Sequence, residues 1–335
     1  MKIAINGFGR IGRTFFRAAH KLGLKIDTIN DLCENETLAY LLKYDSTYGL
    51  FEGEVKATKS SLIIDGNEIK TFGEADPKKL PWKDLGIDLV VESTGVFVEL
   101  DKASAHLEAG AKNVIITAPF KGDKIGRTFI LGVNEEDYDA QIDKVASMAS
   151  CTTNCLVPVA DVLEKNFKIL KASMSTLHSF TMDQVLQDSP HKDLRRGRSA
   201  LQSIIPTTSG ATIAAAEVIP TLKDKMDGLS FRVPTATVSL LDFVALVGKK
   251  TTSEEINEAM KKAAADEKYK GVIAVSEEPL VSADFRSHPA GAIVDLSLTQ
   301  VIDGDMVKVI AWYDNEMGYS IRLAEFCKYL ATKIK

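Results

Sequence analysis

The chain has 335 residues, 45% hydrophobic and 26% charged, with a formal net charge of −5. This balance suits two ordinary folded domains and excludes disordered, collagen-like and membrane-spanning classes, since no apolar run approaches the roughly 18 residues of a membrane helix. The acidic surplus argues against a dedicated nucleic-acid binder, and four cysteines are too few to staple a chain this long, so a cytoplasmic setting is expected.

MKIAINGFGRIG lacks the small-residue cleavage site of a signal peptide and reads as the first strand of a fold. Lys2–Asn6 predicts a strand, followed by a helix pattern through Arg17 and Leu22 and a second strand at Lys25–Asn30. Between them, Gly7, Gly9 and Gly12 form a full GxGxxG. Gly7 allows a tight turn, Gly9 lets backbone approach a pyrophosphate, and Gly12 lets the helix pack on the strand; the helix N-terminus offers N–H donors to the anion. Asp31 closes the second strand, where a carboxylate can accept hydrogen bonds from ribose hydroxyls, although it could also be a helix N-cap. The run Asp-Leu-Cys-Glu-Asn-Glu would set carboxylates against a 2′-phosphate, which favours NAD over NADP.

The segment EVKATKSSLIIDGNEIKTFG alternates and carries an Asp65–Gly66 turn, so a small hairpin excursion is expected. Ile87–Glu92 and Asn113–Thr117 read as strands around a helical stretch at Asp101–Gly110. Strands alternating with helices imply a parallel, doubly wound sheet. The second half reads differently: a helix at Cys151–Asn166, an irregular stretch from Thr181 to Gln202, then long β-rich runs interrupted by a helix at Ser253–Asp266, and a closing helix at Gly318–Ile334. The fold class is therefore α/β, a Rossmann-type domain followed by an α+β domain with a largely antiparallel sheet. The division expected is 1–149, with a helix at 316–335 packing back onto it, and 150–315.

Cys151 and Cys155 lie four residues apart. A disulfide within one helical turn is disfavoured, and the five histidines show no metal-ligand spacing. Cys155 shares an apolar stripe with Val159 and Leu163 and reads as buried filler. Cys151, behind the N-cap candidate Ser150, falls in the first helical turn, where the dipole and free N–H groups favour thiolate, while Pro158 allows a kink or a late start. His178, at the end of a predicted strand, is the candidate base, with a structural role equally open; His20 and His106 fall in predicted helices. Arg195, Arg196, Arg198, Arg232 and Thr207-Thr208-Ser209-Gly210 could receive anions, although HKDLRRGR could equally be a solvated or subunit-contact loop. Arg232 inside an apolar strand demands a partner.

INGFGRIGR, INDL, ESTG, ASCTTNC, HSFT, PHKDLRRGR, FRVPT and WYDNEMGYS together resemble the phosphorylating glyceraldehyde-3-phosphate dehydrogenase family over essentially the whole chain. The resemblance implies NAD- and phosphate-dependent oxidation of glyceraldehyde 3-phosphate, with Cys151 as nucleophile and His178 as base. It implies that Thr181, Asp183 and Arg232 hold the substrate phosphate, and Ser150, Thr152, Arg196, Ser209 and Gly210 the attacking one. On the cofactor side it points to Arg10, Ile11, Asp31, Thr117, Asn315 and Tyr319. It also implies a homotetramer in which the Thr181–Gln202 loop covers a neighbouring subunit's cofactor. Met317, Met182, Ala75, Ile213 and Ala236-Thr237 depart from the family's usual residues, and none removes a group that performs the chemistry. An erythrose-4-phosphate dehydrogenase, which hydrolyses its thioester, is the nearest rival, and Thr181 with the Thr-Thr-Ser-Gly stretch argues against it. A non-catalytic NAD- or RNA-binding regulator is disfavoured by the intact Cys151 and His178. The direction of flux, cofactor affinity and regulatory partners are not legible in the sequence.

Overall fold

Ile3–Asn6 pairs in parallel with Thr28–Asn30 on one side and Leu89–Glu92 on the other. Leu89–Glu92 then pairs with Asn113–Ile116, and that strand with Val145–Ser147, again in parallel. All of these strands are fully buried, the mark of a parallel sheet sandwiched between other layers. In this computed structural model, which describes residues 1–334, the chain divides into two compact units. One comprises Met1–Phe129, Glu136–Ala149 and Leu323–Lys335; the other comprises Ile130–Glu135 and Ser150–Arg322.

The segment expected as a hairpin excursion is instead part of the first unit's main sheet. Asn67–Phe72 pairs in parallel with Thr28–Asn30, and antiparallel with Ser61–Ile64, which pairs with Val55–Ala57. The sheet therefore has eight strands. Asp65 and Gly66 take positive φ values of 49° and 79° at the connection, the signature of a tight hairpin turn. The helix expected at Asp101–Gly110 is two single turns, Leu100–Ala103 and Ala105–Glu108, and a helix at Asn35–Lys43 was not anticipated. Near the C-terminus, Phe326 lies 6.1 Å from both Phe129 and Tyr138, within the first unit.

The second unit is organised around the strand Ile169–Ser179, which pairs in parallel with Met226–Val233 and antiparallel with Ser239–Val247. Ile205–Thr208 extends the sheet on one side; Met306–Tyr313, Ala292–Asp295 and Ile273–Ser276 extend it on the other. The helix Cys151–Phe167 runs uninterrupted through Pro158, and its Val157, Ala160 and Leu163 are all buried. The helix Ser253–Ala265 is capped by Thr252, whose hydroxyl accepts from Glu255 N, one residue earlier than Ser253. Among the described residues, no helix is long and apolar enough to cross a membrane.

Candidate active site

The first unit holds a cleft of about 430 Å³ at the carboxyl ends of its parallel strands, lined by Asn6, Gly7, Gly9, Asp31, Ala75 and Thr94 among others. Gly7 has φ +90°, and a Cβ there would lie 2.7 Å from Thr94 N; at Gly12 it would lie 2.1 Å from Gly7 O. Only hydrogen fits at either position. At Gly9 a Cβ would meet nothing within 4 Å, so this glycine leaves the cleft open. No side chain caps the helix Arg10–Lys21, and its first turn holds no acidic residue, so its N–H groups suit an anion. Asp31 is held at the strand end: its Oδ2 accepts from Phe8 N at 2.6 Å and its Oδ1 from Cys33 N at 3.0 Å. Cradle and carboxylate fit a dinucleotide.

Other cofactor candidates are distributed differently. The Arg10 guanidinium pairs with Asp45 at 2.6 Å and lies over the Tyr48 ring, so its contribution to an anion is its backbone, as for Ile11. Thr117 Oγ1 donates to Glu92 O at 3.1 Å. Asn315 and Tyr319 belong to the second unit, where Asn315 Oδ1 accepts from Ser179 Oγ at 2.7 Å and Ser239 Oγ at 3.1 Å.

Sequence reasoning missed a polar network beneath this cleft. Glu92, Asn6 and Asn30 stand side by side at three adjacent strand ends. Asn6 Nδ2 donates to Glu92 Oε2 at 2.6 Å, and Asn30 Nδ2 to Asn6 Oδ1 at 2.7 Å. His106 Nε2 is 3.1 Å from Glu92 Oε2, and Trp82 Nε1 donates to His106 Nδ1 at 3.0 Å. The available signal was the acid ending the apolar run LVVE, a buried charge that must find partners.

In the second unit, Ser150 caps the helix by accepting from Thr153 N at 3.1 Å, which places Cys151 in its first turn. Cys151 Sγ lies 3.3 Å from His178 Nε2. Sheet register sets Arg232 directly beside His178 on the neighbouring parallel strand, and its Nη1 stands 2.5 Å from His178 Nδ1. The same Nδ1 is 2.7 Å from Ser179 O. A buried hydroxyl chain, Thr152 to Tyr313 at 2.9 Å and Tyr313 to Thr176 at 2.7 Å, ties the helix start to the strand that carries His178.

Burial works against the expected thiolate. Burial pushes the Cys151 thiol up to about 11, outweighing the Arg232 charge and the backbone N–H of Thr152, which both pull it down. Burial first, and Arg232 second, hold the His178 imidazole down at about 3. A helix N-terminus favours thiolate, and here desolvation works against it. Cys155 is fully buried, with its thiol held well above the ordinary value by the same burial.

The anion candidates come together only in part. Arg196 pairs with Asp183 and also donates to Thr207 Oγ1 from Nε at 2.9 Å and Nη2 at 2.6 Å. The resemblance had assigned Arg196 and Asp183 to different phosphates. Thr181 donates to Gln184 Oε1 from its N at 2.8 Å. Ser209 Oγ accepts from Ala211 N at 3.3 Å, and Gly210 precedes the helix Ala211–Val218. The hydroxyls of Ser150 and Thr152 are engaged in the cap and the Tyr313 chain.

A glycine-cradled dinucleotide cleft and a thiol set against an imidazole define a class, the nicotinamide-dependent oxidoreductases that work through a cysteine. Residues 1–100 match the family model of the glyceraldehyde 3-phosphate dehydrogenase NAD binding domain, and residues 150–315 that of the C-terminal domain. The chain is 51% identical over 334 residues to glyceraldehyde-3-phosphate dehydrogenase of Geobacillus stearothermophilus, covering 99% of both. It is 49% identical over 333 residues to glyceraldehyde-3-phosphate dehydrogenase 1 of Bacillus cereus, again covering 99% of both. It is 48% identical over 340 aligned positions to the chloroplastic glyceraldehyde-3-phosphate dehydrogenase A of Zea mays, covering all of this chain and 83% of the relative. The chain belongs to the glyceraldehyde-3-phosphate dehydrogenase family.

Proposed function

We infer that the protein oxidises glyceraldehyde 3-phosphate, with NAD and inorganic phosphate, to 1,3-bisphosphoglycerate, the reaction that links it to glycolysis and gluconeogenesis. The observation that carries this reading is the 3.3 Å contact between Cys151 Sγ and His178 Nε2, with Arg232 alongside. Residues 1–149 together with 316–335 are read as the NAD-binding domain and 150–315 as the catalytic domain. NAD, when bound, supplies the acceptor for the substrate's hydride; the Gly7–Gly12 loop, the backbone of Arg10 and Ile11, Asp31, Thr117, Asn315 and Tyr319 are the residues proposed to hold it.

An aldehyde carries no hydroxyl from which a hydride can readily leave. The Cys151 sulfur therefore adds to the carbonyl carbon, its proton passing by way of His178 Nε2 to the carbonyl oxygen, to give a hemithioacetal. His178 then takes that hydroxyl proton as the hydride departs with two electrons, leaving a thioester on Cys151. A phosphate oxygen attacks the thioester carbon, the carbon–sulfur bond breaks, and the acyl phosphate leaves.

The contacts of His178 explain how substrate starts this sequence. Guanidinium can only donate, so an Nδ1 facing Arg232 must accept, and the ring proton then sits on Nε2, where it blocks uptake of the thiol proton. Nδ1–H donating to Ser179 O frees Nε2 as the base. A substrate phosphate that draws Arg232 away selects the active tautomer and neutralises the cation that holds the imidazole's basicity down. Thr181 and Asp183 are proposed to complete this phosphate site, with Ser150, Thr152, Arg196, Ser209 and Gly210 receiving the attacking phosphate. The exposed Met182, Leu186, Leu194 and Leu201 in the Thr181–Gln202 loop support a homotetramer, and we place the enzyme in the cytoplasm.

NADH formation from glyceraldehyde 3-phosphate, measured with and without inorganic phosphate, tests the reading. Turnover should require phosphate. Phosphate-independent turnover would point to thioester hydrolysis, as in an erythrose-4-phosphate dehydrogenase, and no turnover under either condition overturns the proposal.

A further inference from the structure

Glu92 is 1% exposed, and every partner of its carboxylate is a donor. Oε2 receives Asn6 Nδ2 at 2.6 Å and faces His106 Nε2 at 3.1 Å; Oε1 receives Thr94 N at 2.8 Å and the Thr94 hydroxyl. The tautomer of His106 is set by Trp82, because an indole N–H can only donate: Nδ1 accepts, so the proton is on Nε2. The Nε2–H therefore points at the Glu92 carboxylate. Among the described residues, no lysine or arginine pairs with this buried carboxylate.

Its position is informative. The sheet runs outward in one direction from Ile3–Asn6 to Thr28–Asn30, and in the other to Leu89–Glu92. The switch point lies between Asn6 and Glu92, the place where open parallel sheets bind ligands. Glu92 builds the turn above it: the Thr94 hydroxyl also accepts from Val96 N at 3.0 Å, and Gly7 has no room for a Cβ against Thr94. For a dinucleotide held by Asp31 and the Gly7–Gly9 loop, Leu89–Glu92 would lie across Ile3–Asn6 from the Asp31 strand.

We propose that Glu92 is a positioning residue for the dinucleotide, holding the Thr94–Val96 turn against the glycine loop while its buried charge favours the oxidised cofactor, whose ring is cationic, over the reduced one. The proposal rests on the NAD reading above and adds a source for redox-state preference. Water-poor surroundings make such a charge felt beyond direct contact.

Calorimetric titration of the nucleotide-free protein with NAD⁺ and with NADH tests it. The wild-type protein should bind NAD⁺ more tightly than NADH. Glu92→Gln should weaken NAD⁺ about tenfold and NADH by less than about threefold, the size expected when one partly shielded charge is lost. Thr94→Val keeps the charge but loses the turn, and should weaken both forms alike. Equal losses for both forms in Glu92→Gln, no loss in that variant, or a wild-type protein that binds NADH as tightly as NAD⁺ overturns the proposal. If Glu92→Gln does not fold, the wild-type ratio decides alone. A wild-type protein that binds neither form would overturn the NAD reading itself.

Discussion

His106 and His178 are 0% and 4% exposed, and each sets Nε2 about 3 Å from an acidic partner, Glu92 in the first unit and Cys151 in the second. Around His106 the two ring nitrogens have compatible partners: indole N–H into Nδ1, Nε2–H into carboxylate. Around His178 two neighbours make incompatible demands on Nδ1, Arg232 requiring an acceptor and Ser179 O a donor. A fully satisfied buried network holds one state, while an over-subscribed one has two states of similar standing, and a ligand can choose between them. The pair that looks most tightly bonded is therefore read as scaffold, and the conflicted pair is the one we propose to be reactive.

Substitution at the two rings should separate them most sharply. His178→Asn should lower kcat by roughly 10² to 10⁴, the usual contribution of a general base, with NAD affinity retained. Steady-state rates beside a binding titration check this, and a loss below tenfold would remove His178 from the chemistry.

A smaller and graded effect separates the resting acid states. With the thiol pushed up to about 11, its ionised fraction climbs throughout the range below that value. Alkylation of Cys151 by iodoacetamide in the free protein should rise about tenfold per pH unit between 7 and 10. A rate already flat below pH 8 would mean that the helix terminus and Arg232 overcome burial after all.

The mildest change targets the scaffold. Trp82→Phe removes the indole donor and leaves His106 Nδ1 buried without its partner, at a cost of about 1–3 kcal/mol. Denaturant unfolding should register that loss while the alkylation rate of Cys151 stays unchanged; a variant as stable as the parent would show that the network is not held from that end.

The proposed reactive pair was more legible in sequence than the scaffold. Helix initiation and strand ends are local matters, so Ser150 before Cys151 and His178 at the end of its strand could be placed from pattern alone. What local pattern lacks is burial. It could register the helix terminus that favours thiolate at Cys151 but not the desolvation that opposes it. His106 was set aside as an ordinary helical residue, since its partners Trp82 and Glu92 are 24 and 14 residues away. The excursion at 54–73 was misjudged for a related reason: its hairpin turn is local, but the pairing of Asn67–Phe72 with Thr28–Asn30 spans some forty residues. Arg232 beside His178 depends on sheet register across 54 residues, which only the folded chain supplies.

The placement of Phe326 against Phe129 and Tyr138 bears on how the chain is made. A ribosome releases residues 1–129 first, yet the aromatic ring that packs on Phe129 and Tyr138 emerges only after the whole second unit. During the interval, on the order of tens of seconds at ordinary synthesis rates, the nascent polypeptide holds two aromatic side chains without their final neighbour. A premature stop after Arg322 would make that interim condition permanent.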